Sequence, residues 1–141
     1  MDDRPGQKPR IAHIALQVED LDKTADFYKS VFGFTEVSRH RDGDHESLHL
    51  TDGHLDLAMV CYDGPDSFMG RQAGGQPCIH HFGVDVDDLD AYRKRVEAHG
   101  GETFAYPTNP GERVVKFRIP GGGGITEIAP FGWHSRKSPD A

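Results

Sequence analysis

The sequence predicts an α+β protein built from two copies of one β-α-β-β-β module. The run His-Ile-Ala-Leu-Gln-Val-Glu-Asp-Leu-Asp at residues 13–22 returns as His-Phe-Gly-Val-Asp-Val-Asp-Asp-Leu-Asp at residues 81–90, an offset of 68 positions. In both runs, apolar residues first alternate with polar or small ones and then adopt a helical spacing. Each run is therefore expected to form a strand followed by a helix, and the repeat predicts two equivalent modules.

The residues that follow each histidine run predict the remaining elements of the module, in the same order in both copies. Asp20 and Asp88 are expected to cap the two helices, and glycines follow at Gly33 and Gly100 where the apolar stripes stop. Three strands are then expected in each copy, bounded by turn residues. They are predicted at about 34–40, 46–51 and 54–61, and at about 102–106, 113–119 and 125–130.

The domain organisation follows from these elements. One domain is predicted over residues 10–131, with modules at 10–62 and 79–131. A linker rich in Gly, Pro and Ser joins them over residues 63–78 and could form a mobile flap. Residues 1–9 are expected to be a flexible N-terminus, and residues 132–141 a C-terminal tail.

Composition limits the possible functions. Hydrophobic residues make up 35% and charged residues 28% of the 141 positions, which is typical of a soluble globular protein. The formal net charge is -7 with no Lys/Arg cluster, which argues against a nucleic-acid partner. No apolar run is long enough to span a membrane, and none resembles a signal peptide. With only Cys61 and Cys78 as cysteines, we expect reduced thiols and a cytoplasmic location.

Strand alternation places two histidines on one face of the predicted sheet. If the apolar residues that alternate with them pack against the helices, His13 and His81 must point to the opposite face of the sheet. Each is followed two positions later by a small residue, Ala15 or Gly83, which leaves room for something other than side chains. The repeat makes these histidines candidate ligands of a single metal ion.

The last strand of each module adds a carboxylate. Asp56 and Glu127 each stand three residues after a glycine and two before an alanine, at an offset of 71 residues. Because a buried carboxylate without a partner is costly, a divalent cation would explain the whole group. Zinc, nickel, cobalt, manganese or Fe(II) suits these donors, with His13, His81 and Glu127 as ligands and Asp56 as a possible fourth.

The other histidines receive different predictions. His80 is expected to face the helices and pack there. A supporting role close to the metal is left open for His45, His49 and His54, which lie in or beside exposed strands and turns. His99 and His134 are predicted at the surface.

The sequence also resembles the vicinal oxygen chelate superfamily, which includes glyoxalase I, methylmalonyl-CoA epimerase, extradiol dioxygenases and bleomycin resistance proteins. The resemblance rests on the two histidine runs, Phe27-Tyr28, Phe32-Gly-Phe34 and Ile125-Thr-Glu-Ile128. It implies that the two modules form a curled eight-stranded mixed sheet around a metal. It also implies the ligands named above, with Asp56 where glyoxalase I has a glutamate. Gln17 and Val60 replace the residues that bind glutathione there, which argues against a glutathione substrate.

Three functions remain open at this stage. The leading one is a metal-dependent lyase or isomerase/epimerase of the glyoxalase type, acting on a small substrate chelated through vicinal oxygens. Glu127 or Asp56 would then be the catalytic base. The alternatives are a non-haem Fe(II) dioxygenase using His13, His81 and Glu127, and a drug- or metabolite-binding protein without turnover. A homodimer is expected, because a lone sheet of this kind leaves edges to cover.

Overall fold

The two predicted modules form a single eight-stranded mixed sheet in the computed structural model, which describes residues 6–104, 113–121 and 124–134. In chain order the elements are β1 (Arg10–Gln17), α1 (Leu21–Phe32), β2 (Thr35–Asp42), β3 (His45–Thr51), β4 (Asp56–Tyr62), α2 (Phe68–Gln72), β5 (Cys78–Val86), α3 (Leu89–Ala98), β6 (Glu102–Thr103), β7 (Val115–Arg118) and β8 (Ile125–Pro130).

Strand pairing repeats from one module to the other. The sheet order is β2-β3-β4-β1-β5-β8-β7-β6, so the modules meet where β1 pairs antiparallel with β5. Within each module the first strand pairs parallel with the last, β1 with β4 and β5 with β8. The predicted α+β fold of two βαβββ modules in a mixed sheet is confirmed, and the sheet is not closed.

The two long helices cover the flanks of one face of the sheet. The side chain of Asp20 accepts a hydrogen bond from the backbone N–H of Lys23, and α1 ends at Gly33, whose φ of 73° is left-handed. Asp88 caps α3 in the same way. Two apolar clusters form between the helices and the sheet. The first joins Leu21 and Ala25 of α1 to Leu48, Leu50 and Met59 of the sheet. The second lies near α3 and consists of Val86, Phe117 and Ile128. Burial of each large apolar side chain there stabilises the folded state by about 1.5–3 kcal/mol.

A β-bulge interrupts the pairing of β1 with β5 beside the predicted metal ligands. Ala15 is opposite His81, and the next pair is Leu16 with Ile79, so His80 has no opposite residue. An extra residue of this kind breaks the alternation of side chains between the two faces. The bulge therefore changes the environment of His80, which the sequence pattern placed among the helices.

Several predicted segments lie partly outside the described residues, including residues 1–5, 105–106, the turn 107–111, Gly122-Gly123 and the tail 135–141. The predicted linker contains the short helix α2, and Cys78 at its end already belongs to β5. The first part of the predicted tail is packed, since His134 is buried. Cys61 and Cys78 form no disulfide. Across the described ranges, every helix is too short or too polar to cross a bilayer.

Candidate metal centre

Three of the four predicted ligands converge on the open face of the sheet. His13 on β1, His81 on β5 and Glu127 on β8 place one ligand atom each within 4.8 Å of one another. The Nε2 atoms of His13 and His81 are 3.1 Å apart, and each lies 3.5 Å from a carboxylate oxygen of Glu127. All three side chains are at least nine-tenths buried. Two imidazoles and one carboxylate are a donor set that suits a divalent metal ion.

The protonation states of the three side chains leave each of them a lone pair that a metal ion can bind. Burial lowers the pKa of His13 and lowers that of His81 to about 3, so both rings are neutral near pH 7. Burial alone would raise the pKa of Glu127. The positive charge of Lys116 and the hydrogen bonds that Glu127 accepts outweigh burial and hold that pKa well below its usual value. Two neutral imidazoles and an ionised carboxylate are the protonation states that bind a metal ion.

The separation of the two histidine nitrogens also fits a shared ion. Two imidazole nitrogens bound to one ion at about 2.0–2.1 Å lie about 3 Å apart at tetrahedral or octahedral angles. The observed 3.1 Å agrees with this value. The site residues thus fit a single divalent ion in both donor chemistry and spacing.

Glu127 is held by two cationic partners. Lys116 on the neighbouring β7 is buried and forms an ion pair with Glu127 Oε2. His134 Nε2 donates to Glu127 Oε1 at 2.9 Å, and His134 Nδ1 donates to Asp85 Oδ1 at 2.5 Å. Burial opposes protonation of His134, but the bonds to Asp85 and Glu127 raise its pKa above the usual value. Both oxygens of Glu127 are therefore fixed in place.

The prediction that His134 lies at the surface is wrong. Its ring is fully buried and stacks on the ring of His13, with centroids 4.7 Å apart and planes 8° apart. A Cβ atom on Gly83 would lie 2.7 Å from His134 Nε2, so only glycine at position 83 leaves space for this ring. The aromatic run after β8, Phe131-Gly-Trp-His134, was a signal that this segment packs on the sheet.

Asp56 occupies a different place from the one predicted for a fourth ligand. Its Oδ2 accepts a hydrogen bond from His13 Nδ1 at 2.5 Å, and its Oδ1 lies 2.9 Å from His49 Nδ1. Burial would raise the pKa of Asp56, yet these hydrogen bonds lower it overall. The carboxylate is thus ionised, and it contacts the nitrogen of His13 that faces away from His81.

Strand register explains this placement. In the parallel pairs, Glu127 is opposite Gly83 and Ala58 is opposite Ala15. Since Ala15 and Gly83 are equivalent in the 68-residue repeat, the counterpart of Glu127 is Ala58. The sequence alignment that matched Asp56 to Glu127 is therefore displaced by two residues along β4.

A cavity of about 130 Å³ lies beside the three converging side chains. Ala15 and Ala58 line it, so the predicted space next to His13 exists, whereas the space next to Gly83 is filled by His134. Polar side chains from β2 and β3 form another wall, His40, Asp42, His45, Ser47 and His49. Of the histidines left open by the sequence, His45 and His49 thus reach the cavity, while His54 is exposed elsewhere.

His80 is buried against a helix, but that helix is α2 of the predicted linker, and the His80 ring also contacts His81. Its Nδ1 lies 2.7 Å from His81 Nδ1, and its Nε2 lies 2.7 Å from the carbonyl oxygen of Met69 in α2. The side chain is 4% exposed. The bulge described above brings His80 beside His81, where alternation would have separated the two rings.

This fold and site define a two-module α+β protein with a candidate centre of two histidines and one glutamate. The chain belongs to the Glyoxalase/Bleomycin resistance protein/Dioxygenase superfamily, whose family model matches residues 10–122. A probable chloroplastic lactoylglutathione lyase from Arabidopsis thaliana is 28% identical over 120 residues, covering 78% of this chain and 32% of that protein. The chain thus spans about a third of the length of this relative.

Solved structures share the fold. A hypothetical protein from Bacillus halodurans has a TM-score of 0.73 at 16% identity, covering 88% of this chain and 95% of that one. A methylmalonyl-CoA epimerase variant from Streptomyces coelicolor, in complex with 2-nitronate-propionyl-CoA, has a TM-score of 0.68 at 23% identity, covering 86% and 96%. The methylmalonyl-CoA epimerase from Mycobacterium tuberculosis has a TM-score of 0.69 at 18% identity, covering 85% and 86%.

Proposed function

We propose that this protein is a divalent-metal-dependent lyase or epimerase that acts on a small substrate chelated through vicinal oxygens. The observation that carries the proposal is the convergence of His13 Nε2, His81 Nε2 and the Glu127 carboxylate beside a cavity. The names of the lyase and epimerase relatives support the same reaction class. Zinc, nickel, cobalt, manganese or Fe(II) would suit the donor set.

In this proposal His13, His81 and Glu127 hold the ion. A bound divalent ion would polarise a substrate carbonyl and stabilise the enediolate that forms when a neighbouring proton is removed. Lys116 also lines the cavity and places a positive charge next to Glu127. That charge would stabilise negative charge developing on substrate oxygens.

The catalytic base is proposed to be His49 rather than Glu127 or Asp56. Glu127 would bind the ion and also contacts Lys116 and His134, which leaves it little basicity, and Asp56 is buried behind His13. His49 lines the cavity, faces Ala58 across the β3–β4 pair, and directs Nδ1 at Asp56. If Nδ1–H donates to that carboxylate, the lone pair lies on Nε2.

A carboxylate that orients a histidine also stabilises the imidazolium formed when the histidine accepts a proton. Asp56 would do this for His49 while it holds His13. In the proposed step, His49 Nε2 takes the proton from the substrate carbon next to the carbonyl. Asp56 is then a positioning residue for both histidines.

Fe(II)-dependent ring-cleaving oxygenation is the second candidate function. The observation that favours it is that the converging group has two histidines and one carboxylate, the ligand set of non-haem iron oxygenases. Drug binding without turnover has less support. Binding alone does not require two imidazoles and a carboxylate to converge beside the cavity.

The proposal is tested first by elemental analysis of protein purified without added metal. We expect about one divalent ion per chain in the parent protein and a large loss in His81→Ala, with His54→Ala as the exposed control. Metal-stripped protein is then reloaded with each candidate ion in D₂O. Proton–deuterium exchange next to a carbonyl is followed by NMR in methylmalonyl-CoA and in lactoylglutathione, the compounds that appear in the names of the relatives.

These results discriminate among the candidates. Exchange or product formation that depends on the ion supports the lyase or epimerase. Oxygen uptake with Fe(II) and a catechol, without proton exchange, would replace it by the dioxygenase. Full metal retention in His81→Ala would refute the site itself.

A further inference from the structure

We propose that His80 is a positioning residue that fixes which nitrogen of His81 is free to bind metal, and that it links this choice to helix α2. The inference rests on the proposed metal site and goes beyond it. It is carried by two short contacts in series, from the Met69 carbonyl to His80 and from His80 to His81.

The first contact sets the protonation of His80. The carbonyl oxygen of Met69 can only accept a hydrogen bond, and it lies 2.7 Å from His80 Nε2. That nitrogen must therefore carry the proton. In a neutral imidazole, the other nitrogen, Nδ1, is then an acceptor.

The second contact determines which nitrogen of His81, the candidate ligand, carries the proton. His80 Nδ1 lies 2.7 Å from His81 Nδ1, and the two rings meet edge to face at 77°. Since His80 Nδ1 accepts, His81 Nδ1 must donate its proton. The lone pair of His81 is thereby left on Nε2, which faces His13 and Glu127.

The position of His80 depends on two local features. The β-bulge removes His80 from the regular pairing and lets its buried ring lie next to His81. On the other side, α2 lies close to β4, because a Cβ atom on Gly70 would be only 3.0 Å from Tyr62 Cδ2. Ser67 caps α2 through the backbone N–H of Gly70. These contacts hold the Met69 carbonyl where His80 can reach it.

The two modules thus orient their histidines by different means. His13 donates to the charged carboxylate of Asp56, whereas His81 donates to a neutral ring that is itself anchored on a backbone carbonyl. Partners of this kind fix the ring of a metal-binding histidine, and their loss typically reduces metal affinity about 10–100-fold. The segment between the modules is consequently part of the support of the metal site.

The direct test is the tautomer of His81 in ¹⁵N-labelled, metal-free protein, measured by long-range ¹H–¹⁵N correlation NMR. We expect the proton on Nδ1 in the parent. In His80→Phe, which keeps a ring but no acceptor, we expect the Nε2–H form to appear. His80→Asn, whose Oδ1 can replace the Nδ1 acceptor, should restore the parent tautomer.

Metal affinity supplies the second readout, using Co(II) or Zn(II) competition with a chromophoric chelator and no substrate. We expect a loss of about 10–100-fold in His80→Phe and recovery to within about threefold in His80→Asn. His99→Phe, at an exposed site, is the control.

The inference is overturned if His81 carries its proton on Nε2 in the parent, or if His80→Phe keeps both the parent tautomer and the parent affinity. Should His80→Phe fail to fold, the parent spectrum and His80→Asn still decide the question. Failure of the proposed function has a different signature: a parent protein that binds no metal, whatever the tautomer of His81.

Discussion

Gly83 and His134 are in such close contact that a Cβ atom on Gly83 would lie 2.6 Å from His134 Cε1. His134 in turn donates to Glu127, so the missing side chain of Gly83 determines where that carboxylate is held. We predict that Gly83→Ala displaces His134, destabilises the fold by about 1–3 kcal/mol and weakens metal binding.

Urea unfolding and metal titration would measure the two effects of Gly83→Ala. Gly64→Ala is the matched control, since a Cβ atom at Gly64 meets nothing within 4 Å and its φ is not left-handed. Equal stability and affinity in the two variants would contradict the role assigned to the Gly83–His134 contact.

Asp56→Asn should lower metal affinity without changing the ligands. The amide carries no negative charge and offers one acceptor oxygen to two histidines, so His13 and His49 can no longer both donate to residue 56. We expect affinity to fall about 10–100-fold while one ion per chain still binds at saturating metal. X-ray absorption spectra of the Co(II)-loaded parent and variant should then give the same coordination number. A number lower by one in the variant would make Asp56 a ligand.

His49→Asn should separate proton transfer from metal binding. Asparagine can still donate to Asp56 from its amide, but it has no basic nitrogen at the position of His49 Nε2. We predict a loss of about 10²–10⁴-fold in kcat with unchanged metal content. His54→Asn, on an exposed turn, should match the parent. A His49→Asn enzyme with normal kcat would exclude His49 as the base.

Acid should destabilise the metal-free protein through His81. Burial lowers the pKa of His81 from 6.5 to about 3, so below pH 6.5 the unfolded chain binds a proton that the folded chain does not. The free energy of unfolding should therefore fall as pH drops from 6.5 toward 3, with up to about 1.4 kcal/mol per pH unit from this group. His81→Asn should show a shallower fall below pH 6.5, measured by urea unfolding. A slope equal to that of the parent would contradict the assignment.

The homodimer stays a prediction with a defined test. Ile79 and Phe82 on β5 and Ile11 on β1 are 69%, 38% and 57% exposed, in the middle of the sheet between the two modules. If a second copy covers this region, light scattering after size exclusion should give twice the chain mass for the parent. Ile79→Asp should shift it toward the monomer, and His99→Asp should not. A monomeric parent protein would contradict the predicted homodimer.

Much of this arrangement could be read from periodicity. Alternation along β1 and β5 placed His13 and His81 on one face, and the repeat made them partners. Glu127 joined them because its strand follows the same pattern. The structure does bring these three side chains together, because the alternation of a strand decides which face a side chain occupies. Their role as metal ligands stays a prediction.

The errors arose where long-range geometry intervenes. A bulge depends on how two strands pair, so the side chain of His80 could not be placed from the pattern of β5 alone. Asp56 was matched to Glu127 by its distance from a glycine, whereas the parallel register of β1 and β4 decides which residues are opposite. His134 reaches the site through tertiary packing; the aromatic run that precedes it indicates packing on the sheet but not which residues it contacts.

The register that aligns Ala58 with Glu127 bears on the history of the chain. If both modules descend from one duplicated half, only the second has kept or acquired an acid at this position, and two of the three candidate ligands belong to it. The first module instead contributes the small side chain of Ala58 at this position. The asymmetry thus gives the second module most of the candidate ligands and leaves the first to provide open space in the cavity wall.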